Sequence, residues 1–159
     1  MEYGMSKQHF IEYLNTRLGT LKICADEQGI TAILFVTHTE QHTIPNHHTQ
    51  QAATQLIEYL AGTRTRFDLS LNPVGTVFQQ QVWKQLLTIP YGQTCSYADI
   101  AKKINNPKAV RAVGAANGRN PITIIVPCHR VIGSNGKLTG YAWGTEIKAE
   151  LLTLEHSIR

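Results

Sequence analysis

A chain of 159 residues, 42% hydrophobic and only 16% charged, is long enough for one ordinary domain or two small ones and too apolar to stay unfolded. No apolar run approaches the roughly 20 residues of a membrane span, and Met1 to Met5 lacks the basic-then-apolar pattern of a secretory signal, so a cytoplasmic protein with access to the nucleoid is expected. The net charge is +4, with five basic against seven acidic residues over positions 1–72 and ten against four over 73–159, so a polyanion is expected to meet the second half. Cys24, Cys95 and Cys128 are odd in number, far apart and free of any CxxC pattern, which argues against a disulfide framework and a cysteine-rich metal site.

Along the chain, Arg17 to Ala25 and Gly29 to Val36 are β-rich runs around the turn residues Asp26 to Gly29 and read as a hairpin. His38 to Thr49 is polar and holds His38, His42, His47 and His48. Without a flanking cysteine or a fixed ligand spacing, it reads as a solvated loop rather than a metal site. Ala53, Leu56, Ile57 and Leu60 give residues 50–61 a helical period that Gly62 can stop. Phe67 to Leu71 alternates like a short strand, and Asn72-Pro73-Val74-Gly75 marks a domain boundary.

In the second half, Phe78, Val82, Trp83 and Leu86 place a helix over residues 77–87, with Thr76 as its cap. Pro90-Tyr91-Gly92 closes it. Ser96 opens a second helix through Tyr97, Ile100, Ala101 and Ile104, which Asn105-Asn106-Pro107 ends. A third, from Lys108 to about Asn117, is built of Ala109, Ala112, Gly114, Ala115 and Ala116 around a single arginine, Arg111. Helix, turn and helix in a basic region is helix-turn-helix material, although many helical hairpins bind nothing. The small residues fit close approach to a narrow groove, where Arg111 could hold the space of an extruded nucleotide. They fit equally well simple packing on a neighbouring helix.

The run Ile122 to Val126 reads as a buried strand ending on Pro127-Cys128-His129-Arg130. A thiol with the ordinary pKa of about 8.5 needs a base or a positive charge to react at neutral pH, and His129 and Arg130 offer both. A buried structural cysteine beside a chance neighbour remains the alternative on these four residues alone.

Taken together, Ser96-Tyr97, Asn106 to Gly114, Asn120-Pro121, Ile125 to Ile132 and Gly140-Tyr141 resemble the O6-alkylguanine-DNA alkyltransferases, also called methylated-DNA–protein-cysteine methyltransferases. The resemblance covers about residues 74–156. It implies an α+β fold: an N-terminal ribonuclease-H-like sheet-and-helix domain over residues 1–73, then a mostly helical domain over 74–159 with a winged-helix-like helix-turn-helix. It implies irreversible transfer of the alkyl group from O6-alkylguanine in duplex DNA, with O4-methylthymine as a further substrate, to Cys128. No cofactor or metal is implied, and the free protein is expected to be a monomer.

By the same resemblance, His129 is the base that takes the thiol proton through a water, and Glu155, in a closing helix over residues 148–155, orients the imidazole. Asn120 links the recognition helix to the active-site strand. Tyr97 assists nucleotide rotation and protonation of the leaving guanine. Arg111, Ala112, Ala115 and Asn117 form the DNA-facing part of the helix. Val131, Tyr141, Ala142 and Trp143 line the base pocket, with the carbonyls of Cys128 and Val131 accepting guanine's amine. Ala142 stands where some relatives have serine and Trp143 where others have glycine, so a bulky indole at the rim is expected to disfavour large alkyl groups. A damage sensor that binds without transfer lacks the acceptor cysteine, and a cysteine hydrolase leaves Arg111 unexplained.

Overall fold

The structure, a computed structural model, describes residues 9–156. The chain separates into two compact units at Pro73 and Val74. Among the described residues, no helix is long and apolar enough to cross a membrane.

The first unit is an antiparallel sheet of β1 (Phe10–Thr16), β2 (Gly19–Ala25) and β3 (Ile30–Val36), in that order, under α1 (His47–Leu60). The register pairs Glu12 with Ile23 and Ile23 with Ile33. One face of the sheet thus gathers Leu21, Ile23 and Ile33, which are buried with Ala52, Leu56 and Tyr59 of α1. β2 and β3 form the expected hairpin, whereas β1 carries no comparable sequence signal, because Glu12 interrupts the apolar alternation on its core-facing side. The helix begins three residues before the expected start at Gln50. Asn46 caps it by accepting from Thr49 N at 3.0 Å, and Thr49 Oγ1 accepts in return from Asn46 N at 2.9 Å. Phe67 to Leu71 does not form a strand; it meets β3 only at the parallel bridge between Ile30 and Leu71.

Asp26 ties this unit together. One carboxylate oxygen accepts from Gln28 N (2.9 Å) and Gly29 N (3.1 Å), and the other from Asn72 Nδ2 (2.7 Å). Gly29 is required at the same turn, since a Cβ there would stand 2.5 Å from the Ser70 carbonyl oxygen. Hydrogen bonds to a charged group contribute about 1.5–3 kcal/mol, so Asp26→Ala is expected to destabilise the chain by about that amount, read as a lower urea midpoint at unchanged slope.

The second unit contains α2 (Val77–Leu86), a two-stranded parallel ladder of β4 (Cys95–Ser96) and β5 (Val131–Ile132), α3 (Tyr97–Lys103), α4 (Val110–Gly118) and α5 (Thr145–Leu154). Thr76 and Ser96 cap α2 and α3, each in a reciprocal capping box, with Gln79 and Asp99 respectively. The helices α2 and α3 both pack on α4. The buried residues are Val82, Trp83 and Leu86 of α2, Ile100 and Ala101 of α3, and Val113 and Ala116 of α4. Trp83 Nε1 donates to Ala116 O at 2.9 Å and so fastens α2 to α4.

Ile122 to Val126 is buried as expected but is not a strand. It is a tight turn in which Val126 N donates to Ile122 O (3.1 Å), Ile125 N donates to Thr123 O (2.9 Å) and Ile124 has φ of 73°. A β-branched residue in the left-handed region is strained by about 1–3 kcal/mol and persists only where its surroundings fix it. The Asn120 side chain does so, accepting from Ile122 N (3.0 Å) and donating to Val126 O (2.8 Å). The strand signal misleads because a short β-branched, largely apolar run buries equally well in a compact turn.

Candidate active site

The Asn120 turn delivers the chain to Cys128–Arg130, a single 3-10 turn whose three side chains are buried. Asn120 Nδ2 reaches Cys128 Sγ at 3.1 Å. Asn120 Nδ2 thus reaches Cys128 Sγ as well as the turn before it, while the Asn120 backbone N–H donates to Asn117 O at 3.3 Å in the last turn of α4. Burial pushes the Cys128 thiol up from its ordinary value, opposed by the Asn120 amide and the Lys148 ammonium. The resting group is therefore a thiol, and reaction requires a base.

His129 has no solvent exposure, and its Nε2 lies 2.8 Å from Glu155 Oε2. Burial lowers the imidazole pKa below 6.5, against the upward pull of Glu155, so the ring is neutral at pH 7. A carboxylate only accepts, so Nε2 carries the proton and Nδ1 keeps a lone pair. That Nδ1 is buried without a hydrogen-bond partner among the described residues. A buried polar atom of this kind calls for a chemical use or a bridging water. Glu155 sits at the C-cap of α5, which spans Thr145–Leu154 rather than the expected 148–155.

Arg130 does not face the thiol. Its Nε and Nη2 donate to Glu155 Oε1 (2.8 Å) and Oε2 (3.0 Å), and its Nη1 donates to Ile89 O at 2.7 Å. One carboxylate therefore serves both the imidazole and the guanidinium, a pairing that sequence spacing does not reveal.

Around this centre, Tyr141 is buried with its hydroxyl 2.6 Å from Thr123 Oγ1. Ala142 is exposed and Trp143 half-buried beside it. Tyr97 opens α3 and donates its hydroxyl to Thr139 O at 3.0 Å. Gly140, at φ of 70°, permits this contact, because a Cβ there would lie 2.7 Å from the Tyr97 hydroxyl. Arg111, Ala112 and Ala115 share the exposed face of α4 with Gly118 and Arg119. Asn117 departs from expectation: it is 2% exposed and turns inward, with Nδ2 3.4 Å from Cys128 O, so it is no part of an outward DNA face. At helical spacing it falls with Val113 and Ala116 on the packed side.

No group of three side chains able to hold a metal comes together among the described residues. A buried Cys128 next to a histidine whose tautomer a carboxylate fixes, together with a helix of exposed small residues, is an arrangement suited to a DNA-binding protein that reacts through cysteine. Its family follows from comparison. The profile of the 6-O-methylguanine DNA methyltransferase ribonuclease-like domain matches residues 10–73, and that of the DNA binding domain of the same proteins matches 77–157. The chain belongs to the 6-O-methylguanine DNA methyltransferase family. It is 50% identical over 146 residues to the methylated-DNA–protein-cysteine methyltransferase of Methanosarcina acetivorans, covering 88% of this chain and 94% of that one. It is 51% identical to the constitutive methylated-DNA–protein-cysteine methyltransferase of Bacillus subtilis, covering 88% and 91%. Among solved structures, the Mycobacterium tuberculosis O6-methylguanine methyltransferase superposes with a TM-score of 0.85 at 46% identity, covering 94% of each chain. A structure of the M. tuberculosis protein in complex with DNA gives 0.85 at 48%, covering 93% of each.

Proposed function

We propose that this chain repairs alkylated DNA by moving the alkyl group from guanine O6 to its own Cys128, once per molecule. The observation that carries the reading is the fixed tautomer of His129: Glu155 holds Nε2–H, which leaves the Nδ1 lone pair as a base one residue from the nucleophile. The Cys128 proton passes through an intervening water to Nδ1. The thiolate attacks the alkyl carbon, a sulfur–carbon bond forms, and the carbon–oxygen bond breaks with its electron pair left on the guanine. The proton taken up by His129 balances that charge, and the Tyr97 hydroxyl, which burial keeps protonated, stabilises the leaving guanine as a hydrogen-bond donor once released from Thr139 O. The product is a thioether with no leaving path, so there is no turnover.

The basic half of the chain and the exposed face of α4 suit a duplex partner. The Val131 carbonyl, Tyr141, Ala142 and Trp143 line the pocket for the extruded base, and Arg111 fills the gap it leaves. On this reading the protein is a free-state monomer that works in the cytoplasm on nucleoid DNA, with O4-methylthymine as a second substrate. Incubation with a duplex containing O6-methylguanine, followed by intact mass, tests the function. One methyl adduct on Cys128, matched mole for mole by restored guanine, is expected. Unmodified protein tightly bound to the duplex would instead indicate a sensor, and repeated product release a hydrolase.

Arg111→Ala tests the extrusion step. Unstacking a nucleotide costs a few kcal/mol, so single-turnover transfer from a paired target is expected to fall by about 10- to 100-fold. The defect should shrink when the target base is left unpaired, because less stacking then has to be broken. An equal defect on both substrates would assign Arg111 to general phosphate binding.

A further inference from the structure

Lys148 has no solvent exposure, although lysine is among the residues least often buried without a partner. Two backbone carbonyls hold its ammonium: Nζ donates to Val131 O at 2.6 Å and to Thr139 O at 2.7 Å. Both acceptors belong to the site. Val131 follows the nucleophile turn directly, and its N–H closes that turn on Cys128 O. Thr139 O is the same oxygen that accepts the Tyr97 hydroxyl at 3.0 Å. A single cation on α5 thus joins the Cys128 turn, the 133–144 loop that carries Tyr141, and the first residue of α3.

We propose that Lys148 is a positioning residue for alkyl transfer: its ammonium, through the Val131 and Thr139 carbonyls, fixes the Cys128 turn, the pocket wall and Tyr97 in one register. The inference rests on the transfer reading above and adds a residue to it. Carbonyl oxygens are satisfied as well by water at a surface as by a lysine, so burying a cation to reach two of them is explained by what they locate. The Thr139 oxygen, pulled by two donors, sets where the Tyr97 hydroxyl stands. The Val131 oxygen, directly after the Cys128 turn, is fixed by Lys148. The same ammonium lies close enough to Cys128 to favour its thiolate over its thiol. A methionine of similar length would keep the packing of α5 and lose both hydrogen bonds and the charge.

The test is single-turnover transfer from an O6-methylguanine duplex at saturating concentration, with duplex Kd measured separately. For Lys148→Met the transfer constant is expected to fall about tenfold or more while Kd stays within about twofold, since α4 and Arg111 are untouched. Lys148→Gln, which keeps a donor without the charge, should fall between. A Lys148→Met rate equal to wild type overturns the proposal, as does a loss that tracks only the unfolded fraction seen by circular dichroism. If neither variant folds, the wild-type chain serves. With 15N-labelled lysine, the slowly exchanging Lys148 ammonium resonance should shift when Cys128 is methylated, and a resonance that does not move overturns the assignment. A wild-type chain that takes no methyl at all overturns the transfer reading itself.

Discussion

Cys128→Ser is expected to abolish methyl uptake, lowering the transfer constant by a factor on the order of 10⁴ or more, while the alkylated duplex still binds. The serine oxygen would occupy the place of Sγ beside Asn120 Nδ2, so the geometry survives the exchange. The chemistry does not. An alcohol is a far weaker acid than a thiol, and a neutral imidazole whose pKa burial has lowered is a poor base for removing its proton. Binding depends instead on the exposed face of α4 with Arg111, Ala112 and Ala115, which the substitution does not reach. Intact mass after incubation with the duplex and fluorescence anisotropy on the same samples check the two halves separately. Cys24 and Cys95 provide the internal control. Burial raises both thiols above their ordinary value, and among the described residues neither has a histidine within hydrogen-bonding reach. Methyl uptake by Cys128→Ser at a rate near wild type would place the acceptor at one of them.

The sequence reveals this site unevenly, and the reasons are physical. Cys128 and His129 are legible because adjacent residue types carry a chemistry that neither carries alone. The helices of the second half are legible because Thr76 and Ser96 are capping residues followed by periodic apolar positions. Glu155 is not legible from spacing: an acidic residue near a chain end is ordinarily solvated, and only the family resemblance pairs it with His129. Lys148 escapes for the same reason, since nothing local distinguishes a lysine that will be buried from one that will face water. Asn117 and Arg111 lie on one helix of small residues, and choosing its outward side requires knowing what α2 and α3 cover. The turn at Ile122 to Val126 shows the opposite failure, where a strong strand pattern is overridden by the side chain of Asn120. Its amide makes backbone bonds that a neighbouring strand would otherwise make.

Glu155→Ala is expected to cost the folded state about 3–5 kcal/mol, because it leaves the buried Arg130 guanidinium without its carboxylate. Glu155→Gln is the sharper probe of mechanism, since an amide of the same size can accept one donor while presenting its NH2 to the other. If that amide nitrogen faces the imidazole, the proton moves to Nδ1 and the base is lost. Transfer is then expected to fall by a factor of about 10²–10⁴ in protein that still folds. The dependence on pH separates this from simple loosening. The folded pKa of His129 lies below the unfolded 6.5, with burial as the larger cause and Glu155 opposing it. The unfolded chain therefore takes up the proton first. The stability linked to His129 is fully present above pH 6.5 and is lost as pH falls from there through the folded value. Wild-type transfer should hold through pH 6.5 and decline only below it, as the base is protonated. Without the carboxylate's upward pull, the Glu155→Gln acid limb should move lower still while its plateau falls. Single-turnover rates between about pH 5 and 8, with urea midpoints at the same pH values, measure both quantities. An acid limb that stays in place in the variant would mean that Glu155 holds Arg130 in place and does not act through His129.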